Sequence, residues 1–364
     1  MKLKNLTVVA VFAVLTIGIS AFLLFGNSEE FSLSERRELA QRPEISFKSF
    51  VVGDFMKEFD KFTADQLPLR DSFRTLKAYA AKYLFGQTDN NDIYIYEGYA
   101  AKMEADENEE SIVNAAEKIK EIYNLYLTDN TGKHLFSIIP DKNCYLAEKS
   151  GHLTVDPQIF ADIISQRNPG IGYVDIADLL DETDFYYTDT HWRQERILDV
   201  AKRIASEFGI TLSAEYEEKV LDVPFYGVYC GQSALPLDAE EIRYLTNADV
   251  ENYKVFDYQN NRESDVYDME RANGKDPYEM FLSGPISLIS IENSATKTEK
   301  ELVVFRDSFG SSIAPLLAEG YSKITLVDTR YIQPEIIGKW IDFSNCDVLF
   351  LYSTLVLNNS ETFK

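Results

Sequence analysis

The chain is poor in the residues that build metal and redox sites. Its 364 residues include three cysteines, three histidines and two tryptophans. Cys144, Cys230 and Cys346 share no close motif spacing, and His134, His152 and His191 stand far apart, with no H-E-x-x-H and no paired Cys-x-x-Cys. The sequence therefore provides no zinc framework and implies no cofactor. Three buried thiols, or one disulfide with a leftover thiol, are both compatible with so few cysteines. Basic residues are scarce as well: 36 Lys and Arg face 60 Asp and Glu, a formal net charge of -24. With no basic face to assume, a generic nucleic-acid scaffold is excluded. Internal repeats, low-complexity tracts and a G-x-G-x-x-G fingerprint are also missing. What remains is a chain that is 45% hydrophobic, with 22 Tyr and 23 Phe, enough to bury a core and unlike a disordered acidic tail.

Charge is missing altogether from Leu6 to Phe25. At about 1.5 Å per residue this run just spans a hydrocarbon core of roughly 30 Å, and a helix there satisfies its own backbone groups. Lys2 and Lys4 precede it, while Glu29, Glu30 and Glu35 follow. That asymmetry keeps the N-terminus in the cytoplasm and exports everything after Gly26 as the bulk of a single-pass cell-membrane protein. A cleaved signal peptide is the rival reading, but its apolar region ends after about 7 to 15 residues, usually at a small-x-small exit that this run does not show.

Three regions are expected: a cytoplasmic tip and anchor over 1–26, a stalk with a helical extension over 27–84, and an α/β domain over 85–364. In the extension, apolar residues at helical spacing are interrupted by the sequence LPLRD, which predicts two helices meeting at Pro68, with Arg70 and Asp71 able to pair there. The stretch NDIYIYEGY reads as a strand running into a turn at Glu97-Gly98. Residues 111–127 predict a helix feeding a strand at 134–140. Residues 235–280 are charged and sparse in core residues, and are expected as an insertion or surface excursion. The last 65 residues alternate apolar strands at Leu302–Phe305, 323–328 and Cys346–Tyr352 with amphipathic helices. Such a β-α-β-α-β pattern means a parallel sheet covered on both faces, with ligands bound beyond the carboxyl ends of its strands, after Phe305, Val327 and Leu351.

Two groups of residues carry candidate chemistry. Ser308, in RDSFGSS, lies just past the first C-terminal strand and before a helix. That position exposes a hydroxyl at the top of a sheet and brings the backbone N–H groups of Phe309 and Gly310 toward a developing oxyanion. It is equally the position of an ordinary helix N-cap, a role open also to Asp307. The second group is Asp189-Thr190-His191-Trp192, read as the start of a long helix. An Asp and a His separated by one residue both point into a cleft when the backbone is extended, and the carboxylate then fixes the imidazole tautomer. The bland alternatives are a capping Asp and a packed His beside Trp. Tyr186, Tyr187, Trp192 and Tyr331 are candidates for a sugar platform or for core. Arg193, Arg306 and Arg330 are candidates to offset the acidity near a polyanionic acceptor, or ordinary ion-pair residues.

The ordered blocks LSERRELAQRP, QLPLRD, NDIYIYEGY, YTDTHW, DPYEMFLSG and RDSFGSSIAPLL resemble the DHHW family, part of the wider SGNH-hydrolase-like group that includes the alginate O-acetyltransferase proteins of the AlgX/AlgJ type. The resemblance covers most of the exported part. It implies an SGNH-like three-layer α/β sandwich with a mostly parallel sheet, and a catalytic triad of Asp189, His191 and Ser308. It further implies O-acetyltransferase or acetylesterase activity on a cell-surface polysaccharide, with a membrane-bound O-acyltransferase partner supplying acetyl groups. Thr190 departs from the name-giving D-H-H-W at its second position. The alternative is a catalytically inactive cell-surface protein that binds glycan or has a structural role in the envelope.

Overall fold

The computed structural model describes residues 2–364; Met1, at the tip expected in the cytoplasm, lies outside the described residues, as do the side chains of Lys2, Leu3, Lys4 and Leu15. The chain forms two compact units: one runs up to Tyr94 and includes Val228–Leu237, and the other comprises Ile95–Gly227 with Asp238–Lys364.

The first unit begins with α1, Lys2–Phe25. Its apolar part, Asn5–Phe25, is 21 residues long with a mean hydropathy of 2.7, and none of it is buried. At about 31 Å it is long and apolar enough to cross a membrane. Three short helices follow, α2 (Phe47–Val52), α3 (Asp54–Asp65) and α4 (Arg70–Tyr79). Ser46 and Ser49 close a reciprocal cap on α2, and Gly53, at φ 91°, turns the chain from α2 into α3. The break around Pro68 falls where the sequence put it. Arg70 does reach Asp71 at 3.5 Å, but its shorter contact is with Glu35, at 2.5 Å, which also receives Arg74 at 3.1 Å.

The second unit is built on an eight-stranded sheet: β1 His134–Ile139, β2 Gly172–Tyr173, β3 Lys254–Asp257, β4 Arg262–Ser264, β5 Leu288–Glu292, β6 Glu301–Arg306, β7 Lys323–Val327 and β8 Cys346–Ser353. The spatial order is β4-β3-β5-β7-β6-β8-β1-β2. Five strands, β7 through β2 in that order, run parallel, and β5, β3 and β4 extend the sheet antiparallel. Strands β3 and β4 come from the segment expected as an excursion, where Val255 is buried and pairs with Ile291.

Strand periodicity sorts the core into two halves. Leu302, Val304, Leu349 and Leu351 face one side, with Val200 and Ile204 of α7 (Leu198–Glu207) and Ile313 and Leu316 of α8 (Gly310–Leu317). Val303, Phe305, Val348 and Phe350 face the other, with Ile112 and Ile119 of α5 (Glu109–Ile122) and Phe160 and Ile164 of α6 (Pro157–Arg167). The result is a three-layer α/β arrangement. Of the two amphipathic helices expected between the C-terminal strands, the second is a short 3-10 helix, Pro334–Lys339. From β6 the chain moves through α8 to β7 on one side, then crosses back to β8 on the other. A crevice opens beyond the carboxyl ends of strands where their order reverses, and here those strands are β6 and β8.

Candidate active site

Beyond β6 the chain makes a turn held by Asp307. One carboxylate oxygen accepts the Phe309 N–H at 3.0 Å, and the other accepts the Ser353 N–H and hydroxyl, both at 2.7 Å. Asp307 thus binds the end of β6 to the end of β8. The turn also requires glycine at 310, since a Cβ there would stand 2.6 Å from Cβ of Arg306. Ser308 emerges half-buried from this turn, and its Oγ lies 2.7 Å from Nε2 of His191. Nδ1 of His191 is 2.6 Å from Oδ1 of Asp189, and the same oxygen accepts the His191 backbone N–H at 3.1 Å. Asp189 is almost fully buried. Three side chains from two distant stretches are therefore hydrogen-bonded in series. In such a series the hydroxyl can pass its proton to the imidazole as it attacks, while the carboxylate holds the tautomer and offsets the imidazolium charge.

His191 is fixed by packing as well. Its ring stacks on Tyr278 with centroids 3.9 Å apart and an 11° tilt, and Phe309 stands 4.8 Å away. The Tyr278 hydroxyl donates to Ser312 Oγ at 2.9 Å, and the Trp192 indole N–H reaches the same oxygen at 2.8 Å. Burial pushes the Tyr278 hydroxyl well above its ordinary range, so it stays a neutral donor.

The loop bearing Asp189 and His191 is not the start of a helix, as expected from sequence; α7 begins only at Leu198. A bridge between Phe185 and Trp192 closes the loop, and a buried Lys142 and a half-buried Glu240 clamp it. Lys142 Nζ donates to the carbonyls of Tyr186 at 2.7 Å, Tyr187 at 3.2 Å and Asp189 at 2.7 Å. Glu240 accepts from the N–H groups of Tyr187 at 2.8 Å and Thr188 at 2.7 Å, and from the Thr188 hydroxyl at 2.6 Å. Burial raises the Glu240 carboxyl, and the bonds from Thr188 and Tyr187 oppose that rise. Lys142, Glu240, Tyr278 and Ser312 were not singled out from the sequence. Lys142 had a signal, since it lies three residues past β1, at the same sheet end as Ser308. Glu240 had none.

Other expected roles change. The N–H groups of Phe309 and Gly310 are already donated to the Asp307 carboxylate and carbonyl, at 3.0 and 3.1 Å, so they are not open to an oxyanion. Trp192 and Tyr186 are fully buried and offer no face to a sugar. Arg306 is fully buried too, 3.7 Å from Asp328 and donating to the carbonyls of Asp307 and Ile286, so it is closed off from a polyanionic glycan. Arg330 binds Asp328 through two nitrogens, at 2.9 and 2.7 Å, and Arg193 binds Glu195 at 2.7 Å. Tyr187 and Tyr331 remain exposed, Tyr187 stacked on Tyr99 with centroids 4.2 Å apart and Tyr331 beside the Arg330 guanidinium. The Thr190 hydroxyl is buried without a partner among the described residues. All three cysteines are free thiols.

Near the carboxyl end of β1, Asp141 and Glu104 are both buried. Burial, with the charge of Asp141, pushes the Glu104 carboxyl up to about 7 against the pull of Lys102. A carboxyl raised on folding is most favourable when protonated, so this contribution is intact below about pH 4.5. It falls away as the pH rises through about 7, a loss of about 3 kcal/mol. Glu104→Gln is expected to remove that loss. Denaturant midpoints of variant and wild type should nearly coincide at pH 5, with the variant higher at pH 8; parallel pH profiles would contradict the reading.

No family model and no curated protein matches the sequence. Among solved structures, the chain is similar to a DHHW family protein from Eubacterium siraeum, with 18% identity and a TM-score of 0.59 over 75% of this chain and 95% of that one. It is similar also to Bacillus cereus PatB1 with a sulfonyl adduct, with 19% identity and a TM-score of 0.60 over 73% and 95%. The O-acetyltransferase domain of Pseudomonas putida AlgJ matches at 11% identity and a TM-score of 0.44 over 73% and 92%. The resemblance drawn from the ordered sequence blocks thus has its counterpart in the fold: the chain is built on the fold of the DHHW family protein and of PatB1.

Proposed function

We propose that the chain is a membrane-anchored, extracytoplasmic, serine-dependent O-acetyltransferase or acetylesterase that acts on a cell-envelope polysaccharide. The observation that carries this reading is the bonded series Ser308–His191–Asp189, at 2.7 and 2.6 Å. Ser308 Oγ attacks the carbonyl carbon of an acetyl ester while His191 Nε2 takes its proton. The tetrahedral intermediate collapses, His191 returns the proton to the departing alkoxide, and Ser308 carries the acetyl group. Attack by water releases acetate, and attack by a sugar hydroxyl yields an acetylated glycan; in both, His191 takes the acceptor's proton and returns it to Ser308. The oxyanion donor is the Ser308 N–H, which has no partner among the described residues. The anchor is α1, and the acetyl donor is supplied by a membrane-bound acyltransferase partner.

A sulfonyl fluoride tests the nucleophile directly, PatB1 having been described with a sulfonyl adduct. Stoichiometric labelling confined to the peptide bearing Ser308, and lost in His191→Ala, is the expected result. Unlabelled Ser308 after complete loss of turnover would exclude it as nucleophile. Partition of the acetyl group between water and added glycan then separates esterase from transferase.

A further inference from the structure

The first unit carries apolar surface that its own fold leaves open. Phe47, Phe50, Leu69, Phe73, Leu76 and Leu84 are each more than half exposed. Leu69, Phe73 and Leu76 stand four and three residues apart, one stripe along α4, while Ala78 is buried and Arg70 and Arg74 turn to Glu35. In a soluble helical unit such a stripe faces the core. Here it faces outward, and exposed apolar surface of this kind marks a contact with something else.

Bonds within the unit say what lies within reach. Arg42 Nη2 donates to the carbonyls of Leu23 and Gly26, at 3.1 and 3.3 Å, at the carboxyl end of α1, and its guanidinium lies 5.7 Å from the centre of the buried Phe62 ring of α3. Glu29, just past α1, exchanges backbone bonds with the Gln66 amide at the end of α3, at 2.9 and 2.8 Å. Phe47 follows Arg42 by five residues, at most about 18 Å of extended chain, and Leu69 follows Gln66 by three, at most about 11 Å. Both ends of the α2–α3 pair, and the start of α4, are thereby tied to the exit of α1. Charge agrees with the location. In a chain of net charge -24, residues 70–82 hold Arg70, Arg74, Lys77 and Lys82 against Asp71 alone. Glu35 occupies the two arginines, Lys77 donates to Asn91 Oδ1 at 3.0 Å and Lys82 lies over the Tyr83 ring, so the segment as a whole keeps a net positive charge.

We propose that α2, α3 and α4 lie on the outer surface of the membrane that α1 crosses, with the six apolar side chains set among the lipid headgroups and upper acyl chains. The proposal rests on reading α1 as a membrane span. Lipid is the occupant because the tethers hold the stripe where the bilayer surface begins, and because exposed Phe and Leu on a segment of net positive charge is the composition of interfacial helices. The unit is then docked flat on the bilayer and does not swing on a free stalk.

Full-length protein in phosphatidylcholine–phosphatidylglycerol vesicles, with lipids brominated either near the headgroup or deep in the chain, provides the test. Phe73→Trp and Leu84→Trp are two independent reporters, read above the wild-type signal of Trp192 and Trp340. Shallow bromine is expected to quench each added tryptophan by about half, and deep bromine less. Ile17→Trp reports separately on α1, and deep bromine should quench it. If position 17 is quenched and positions 73 and 84 are not, the anchor stands and the interfacial platform is wrong. Blue-shifted but unquenched tryptophans at 73 and 84 would show a protein covering the stripe, a second copy included, and also overturn it. An unquenched position 17 removes the span, and the proposal with it.

Discussion

Ser308→Ala should lose roughly 10⁴- to 10⁶-fold in kcat on an acetyl ester while keeping its fold. The size follows from how the series works: the hydroxyl forms the covalent bond, and nothing else at the turn can replace it. Asp307 is spent on Phe309 and Ser353, and Ser312 faces Tyr278 and Trp192. The fold should survive because Ser308 Oγ bonds His191 and plays no part in capping α8. Thermal midpoints of variant and wild type should therefore agree closely. Residues acting as one unit are not additive, so Ser308→Ala/His191→Ala should be no slower than either single variant. Steady-state turnover with a chromogenic acetyl ester decides the matter. Retention of more than about a tenth of wild-type kcat by Ser308→Ala would sink the nucleophile. Absence of turnover in the wild type itself, with glycan binding unchanged by Ser308→Ala, would instead favour the non-catalytic glycan-binding alternative.

How legible this site was in the sequence depends on how local each signal is. Leu302–Phe305 and Cys346–Tyr352 announce buried parallel strands by unbroken apolar composition, and the strand-to-helix position of Ser308 follows from them. Asp189 and His191 are legible because one intervening residue places both on the same short loop. The clamps are not. Lys142 and Glu240 lie about fifty residues before and after that loop, and their role is written only in the bonds that folding creates. The oxyanion expectation failed for a related reason. A helix start after a strand suggests free N–H groups, but Asp307, one residue before the serine, takes those of Phe309 and Gly310 for itself. Burial takes Trp192 and Tyr186 out of the aromatic platform and leaves Tyr187 and Tyr331 exposed: composition marks Trp192 as a large apolar ring, and only packing shows that Phe309 and Ser312 enclose it.

Lys142→Met should lower stability by about 3 to 5 kcal/mol and kcat by at least about 10²-fold, with KM little changed. Methionine nearly preserves the volume, so the loss measures the donors and not a cavity. Lys142 is fully buried and donates to the carbonyls of Tyr186, Tyr187 and Asp189; without it, the buried carbonyls of Tyr186 and Asp189 lose that partner at once, while that of Tyr187 keeps the Ala100 N–H. Glu240 holds the opposite, amide side of the same loop, so neither clamp replaces the other. When the Asp189 carbonyl is released, the carboxylate that orients His191 shifts with it, and a displacement of about 1 Å is enough to cost two orders of magnitude. Lys142 touches no reacting atom; it acts by positioning. The discriminating measurement is kcat against denaturation midpoint across Lys142→Met, Glu240→Gln and the double variant. If Lys142 only stabilises the fold, turnover per folded molecule at low temperature would equal that of the wild type. If it aims the triad, turnover stays low in the fully folded protein, and the two variants couple because they hold one loop.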